Sequence, residues 1–166
     1  AYASFANGGY GVWPYAIKEI HDGQGRIIYK REGGGPGRIE TPQKIAAINQ
    51  MLSAVIERGT GKNAKINRPA AGKSGTTQNY RDAWFIGYTA ERVAAVWVGN
   101  DDGSSMNKVT GGGLPARLWK NLMVSAHNGR TVKSLPAAGT LPKIEKFEPS
   151  KNKGTWQIIK NIFGGD

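Results

Sequence analysis

Two neighbouring runs restrict the fold more than anything else in the chain: AWFIGYT (83–89) and RVAAVWVGN (92–100). Both are dense in aromatic and β-branched residues, which suit a pleated sheet better than a helix. A tight turn around Thr89-Ala90-Glu91 joins them as an antiparallel pair. AAGKSGTT (70–77) comes just before, separated by the polar stretch QNYRD (78–82). The pattern predicts three consecutive antiparallel strands, around 72–78, 83–89 and 92–99. The last two are apolar on both faces, so helices should cover both sides of the sheet.

Two helices supply that cover. Thr41-Pro42 opens the first, with Thr as N-cap and Pro at the first helical position. Ile45, Ile48, Met51, Leu52, Val55 and Ile56 recur at three- and four-residue steps and predict its buried face over 42–58. Arg58-Gly59 is expected to end it with a left-handed glycine. Leu114-Pro115 opens the second, around 115–127. Leu114, Leu118, Leu122 and Val124-Ser125 are expected on its buried side, with Trp119 at the border and Gly129 as the stop. Before these, Ala16–His21 and Arg26–Lys30 read as a hairpin around Asp22-Gly23-Gln24-Gly25. The class is therefore α+β. Residues 101–113 read as a long loop. Residues 131–166 read as an extended, Pro-punctuated C-terminal tail, ending in a short amphipathic stretch at 155–166 that packs on the body or on a partner.

The chain has 166 residues, enough for one domain or part of one. It starts AYASFANGGY, with no Met, no basic segment and no signal-type apolar core. The expectation is an interior stretch of a longer protein, with any targeting or anchoring segment upstream. No apolar run approaches the ~18–20 residues of a membrane span. Cysteine is absent, which excludes disulfides and thiolate metal sites. His21 and His127 stand apart without metal-ligand spacing, so no metal site is expected. Lys and Arg total 23 against 12 acidic residues, a formal charge of +11 that favours anionic surroundings. The basic residues are scattered, with no basic helix carrying interleaved aromatics, so no nucleic-acid partner is expected.

Gly72-Lys73-Ser74 permits two chemistries. A phosphate-binding loop needs G-x-x-x-x-G-K-[ST] between a strand and a helix. Its first glycine would fall at position 67, which is Asn67, and no helical pattern follows the motif. The helix dipole and backbone nest that hold phosphates are therefore missing. As a Lys-Ser-Gly strand along a cleft, the same residues fit acyl transfer. Lys73 offers a cation to a substrate carboxylate. Gly75 leaves room for a substrate backbone. The Thr76 amide can serve an oxyanion hole, and the Ser74, Thr76 and Thr77 hydroxyls can bind carboxylate oxygens.

GKSGTTQNYRDAWFIGYTAERVAAVWVGNDD (72–102) resembles the K-[ST]-G segment and following hairpin of class A penicillin-binding proteins. AYASFANGG (1–9), VIERGTG (55–61) and GGGLPARLWKNLM (111–123) resemble that family's transpeptidase domain in the same order. The family more often has Thr where Ser74 stands, and Ser keeps the hydroxyl. The resemblance implies an α+β penicillin-binding/serine β-lactamase-like fold, with an antiparallel sheet covered by helices. It also implies that residues 1–130 are the C-terminal portion of a transpeptidase domain.

The family builds its site from S-x-x-K, S-x-N and K-[ST]-G, in that order. Ser and Lys three apart share a helix face, so the amine can take the hydroxyl proton. Ser105-Met106-Asn107-Lys108 and Ser150-Lys151-Asn152-Lys153 fit S-x-x-K by spacing. Both follow Lys73, which is the wrong order, and neither lies at a helix start. The acylating serine is therefore expected upstream of Ala1, and this chain alone is expected to be inactive. The resemblance implies a serine D-Ala-D-Ala transpeptidase with no cofactor, acting on peptidoglycan stem peptides and trapped by β-lactams. Lys73 and Thr76 would serve catalysis; Ser74, Gly75, Thr77 and Gln78 would bind substrate. The partners would be the N-terminal remainder of the domain and, through an upstream anchor, the outer face of the cytoplasmic membrane. Two other readings stand beside it: a serine β-lactamase-like hydrolase, and a non-catalytic basic binding module.

Overall fold

The computed structural model describes residues 1–140. The expected amphipathic stretch at 155–166, the Ser150–Lys153 match and most of the tail lie outside the described residues. The elements are α1 (Tyr2–Ala6), β1 (Glu19–His21), β2 (Ile27–Lys30), α2 (Pro42–Glu57), β3 (Ala71–Thr76), β4 (Asp82–Tyr88), β5 (Val93–Gly99) and α3 (Leu114–Ala126). β3, β4 and β5 form one antiparallel sheet in that order, and β1 pairs β2 in a separate hairpin.

The sheet follows from alternation along β4. Ala83, Phe85 and Gly87 point to one face; Trp84, Ile86 and Tyr88 point to the other. The first face meets α3. Trp119 is fully buried there, its ring 5.3 Å from that of Phe85 and edge-on to it. Its Nε1–H donates to the Gly87 and Ala94 carbonyls at 3.3 and 3.1 Å. Gly87 makes this possible, because a β-carbon there would lie 2.7 Å from the indole. Ile56, Ala64, Ala70, Ala116 and Met123 complete this core.

The buried side of α3 thus differs from expectation. Pro115, Ala116, Trp119 and Met123 face inward, while Leu114, Leu118, Leu122 and Val124 are exposed. The leucine stripe does mark an apolar face, but the indole docks over Gly87 and turns that stripe outward. In α2, Ile45 and Ile56 are buried as the periodicity demands, whereas Met51 is 60% exposed and Asn49 is buried. Thr41 caps α2 through its hydroxyl, which accepts from the Lys44 amide. Gly59 is not left-handed. It is needed for space, since a β-carbon would lie 2.8 Å from the Val55 backbone. Gly129, past α3, does take a positive φ of 70°.

Among the described residues, the second face is covered only at one end. Tyr88 and Ala71 pack against Tyr2, Phe5, Ala6, Leu52 and Leu135. Trp84 and Trp97, further along, are each 42% exposed. The Tyr88 hydroxyl donates to Asn49 Oδ1 at 2.6 Å, and Asn49 Nδ2 donates to the Pro136 carbonyl at 3.0 Å. Burial, with Tyr2 close by, pushes the phenol well above its ordinary pKa. Tyr88→Phe leaves a buried amide oxygen unpaired. It should cost about 1–3 kcal/mol in urea unfolding; an unchanged midpoint would show that water replaces the hydroxyl. His127 is also buried: Nδ1–H donates to the Met123 carbonyl, and Nε2 accepts from the Thr89 hydroxyl at 3.0 Å. Its role is structural. Among the described residues, no helix is long and apolar enough to cross a membrane and no metal-binding cluster occurs.

Candidate active site

β3 is an edge strand, and its register decides which of its groups are unpaired. The Thr77 amide donates to the Asp82 carbonyl at 3.0 Å, so this pair faces inward across the sheet. Antiparallel partners alternate between bonded and non-bonded. Gly75 opposite Trp84, and Lys73 opposite Ile86, therefore bond to β4. The Ser74 and Thr76 amides and carbonyls turn to the open edge. Lys73 marks that edge: its Nζ donates to the Ser74 carbonyl at 2.8 Å.

The edge has two unlike sides. Ser74 and Thr76 project to the α3 face, and Lys73 and Gly75 to the face of Trp84 and Trp97. On the Ser74 side lies a groove of about 450 Å³, lined by Thr60, Asn63, Ser74, Thr76, Thr110, Gly112 and Gly113. Thr60 Oγ1 and Ser74 Oγ are 2.7 Å apart. Thr76 Oγ1 accepts from the Gly111 amide at 3.0 Å. Asn63 Nδ2 donates to the Gly112 carbonyl at 2.8 Å. Three separate segments are thereby bound into one wall. Gly111 is buried against the sheet, and a β-carbon there would fall 2.2 Å from the Trp84 carbonyl and 2.4 Å from that of Gly75.

The structure brings Lys73, Ser74, Gly75 and Thr76 together around the open edge. It does not bring the Thr77 hydroxyl there. That group accepts from the Asp82 amide at 2.8 Å and donates toward its carboxylate at 3.3 Å. Asp82 is itself tied to Trp97, whose Nε1–H donates to Oδ1 at 2.9 Å. Gln78 is exposed and begins a 3₁₀ turn, Gln78–Tyr80, in which Asn79 and Tyr80 take positive φ. The Met106 amide holds this turn by donating to the Tyr80 carbonyl at 3.0 Å. Gly75 is unlike the packed glycines: a β-carbon there meets only Trp84 Cβ at 3.6 Å, an ordinary contact. Packing within the described chain does not require glycine at that position. Ser105 is exposed in irregular backbone between β5 and α3, and Lys108 has a φ of 53°, so the pair shares no helix face.

Sequence reading missed Thr60, Asn63 and Thr110. Each is a lone polar residue in a loop; only Thr60 falls within a stretch that resembles the family, 55–61, and Thr110 belongs to the expected loop 101–113. Only the fold shows that they converge on Ser74 and Thr76.

A model of the penicillin binding protein transpeptidase domain matches residues 1–124. Penicillin-binding protein 1A of Neisseria lactamica is 33% identical over 142 residues, covering 81% of this chain and 18% of that protein. Penicillin-binding protein 4 of Bacillus subtilis is 31% identical over 128 residues, covering 76% and 20%. The chain thus spans about a fifth of the length of these curated relatives. Among solved structures, the penicillin-binding protein PonA1 from Mycobacterium tuberculosis superposes with a TM-score of 0.72 at 26% identity, over 81% of this chain and 38% of that one. Penicillin-binding protein A from M. tuberculosis, solved as an imipenem acyl-enzyme complex, gives 0.62 at 27% identity, over 75% and 29%.

Proposed function

The chain belongs to the penicillin-binding protein transpeptidase family, and from that premise we propose that it forms the substrate-gripping half of a peptidoglycan D,D-transpeptidase site. The observation that carries this reading is the open edge of β3. It combines an outward amide at Thr76, an exposed amine at Lys73 and a hydroxyl pair at Ser74 and Thr60. Such an edge suits an acylating donor. A serine hydroxyl adds to the carbonyl carbon of the D-Ala-D-Ala bond and gives up its proton to a neighbouring base. The carbonyl oxygen becomes an oxyanion and takes the Thr76 N–H. The terminal carboxylate lies between the Lys73 amine and the Ser74 and Thr76 hydroxyls. Collapse expels D-alanine, which leaves with a proton, and an acceptor amine then takes the acyl group. Removing one oxyanion donor costs ~2.7–4 kcal/mol of barrier in acyl-transfer enzymes. Gly75 leaves the substrate backbone free to lie along the strand, and Thr77 and Gln78 shape the turn at its end.

The acylating serine and its lysine belong, in this reading, to a segment preceding Ala1; of the residues 131–166 expected as a tail, Leu135 and Pro136 pack on the body. Action is extracytoplasmic, on cell-wall stem peptides, with β-lactams as trapping analogues. The test is covalent labelling with fluorescent penicillin. The full-length protein should label on one serine upstream of Ala1, and Lys73→Ala should slow labelling at least ~10-fold. The isolated chain should not label. Label on Ser105, or equal labelling of the Lys73→Ala protein, would overturn the assignment.

A further inference from the structure

The Ser74 hydroxyl is not free-standing. Thr60 Oγ1, from the loop leaving α2, sits 2.7 Å from it. Thr60 is itself wedged in place: a β-carbon on Gly112 would lie 2.1 Å from its carbonyl, so the two backbones touch. Asn63, three residues on, ties the same loop to the Gly112 carbonyl. Two hydroxyls at this distance use one hydrogen between them and leave one to spare. A serine side chain otherwise has three staggered wells to choose from. A bond donated by Thr60 selects one well and leaves the Ser74 hydrogen for an anion. It also polarises that hydrogen, since hydrogen bonds in a chain strengthen one another.

We propose that Thr60 is a positioning residue that aims the Ser74 hydroxyl at the carboxylate of the bound stem peptide or β-lactam. The proposal rests on the transpeptidase reading above. Thr60 touches no reacting atom; it acts through Ser74. A hydrogen bond to a charged group contributes more than a neutral one, so the effect should appear with anionic ligands and vanish with neutral ones.

The experiment measures acylation of the full-length protein by benzylpenicillin and by its methyl ester, in which the carboxylate is masked. Thr60→Val keeps the shape and removes the hydroxyl. It should slow the free acid about 5- to 20-fold, through weaker capture and not a slower chemical step, and change the ester less than about 2-fold. Thr60→Ser should restore the acid rate to within about 2-fold of the parent. The acid-to-ester ratio is internal to each protein and does not depend on the fraction folded, so partial misfolding cannot mimic the result. An equal loss on both ligands, or no loss on either, overturns the proposal. A parent protein that neither penicillin acylates overturns the transpeptidase reading, and this proposal with it.

Discussion

Trp119→Ala should remove about 3–5 kcal/mol of stability, the range for emptying a large aromatic site in a core. Three losses coincide. The indole is fully buried, so its transfer free energy is lost and a cavity remains. The edge-on contact with Phe85 disappears. The carbonyls of Gly87 and Ala94 lose the donor they share. Gly87 aggravates the change, because it has no side chain to collapse into the space. Urea or thermal unfolding measures the effect. A loss below about 1 kcal/mol would mean that α3 repacks onto the sheet, with its leucine stripe as the obvious substitute.

Gly111→Ala should damage activity more than stability. The added carbon falls against the carbonyls of Trp84 and Gly75, which are backbone and cannot rotate away. The loop must retreat by roughly 1 Å, and a displacement of that size can cost about 100-fold in rate. The Gly111 amide then leaves Thr76 Oγ1, and the groove wall opens on the side of Ser74. Penicillin acylation of the full-length protein is the measurement. Gly23→Ala is the control, since a β-carbon at Gly23 meets nothing within 4 Å. Acylation of the Gly111 variant within twofold of the parent would show that the loop is not part of the site.

Local chemistry was readable where local chemistry decides the outcome. The aromatic and β-branched runs at 83–89 and 92–100 correspond to strands at 82–88 and 93–99, and Thr41-Pro42 caps α2. What the sequence hid is what depends on distant partners. Trp119 and the Leu114–Leu118–Leu122 stripe are both apolar and both helical. Which one turns inward depends on Gly87, 32 positions earlier. Gly59 has the composition of a left-handed stop, yet its role is clearance from Val55. The candidate site divides the same way. Lys73, Ser74, Gly75 and Thr76 announce themselves as a motif, whereas Thr60, Asn63 and Thr110 gain meaning only from convergence. Thr77 belongs to the motif by spacing, but its hydroxyl is committed to Asp82.

The amide at position 76 faces outward because of where it falls in the alternation along β3, and not because the residue is threonine. Its hydrogen therefore survives any change of side chain. Among the coded amino acids only proline lacks that hydrogen, and proline would also disturb the strand. Inherited variation has almost no direct route to this donor. If this amide is the oxyanion donor proposed above, variants that blunt a β-lactam would have to shift the strand bodily, or alter the groups that flank it.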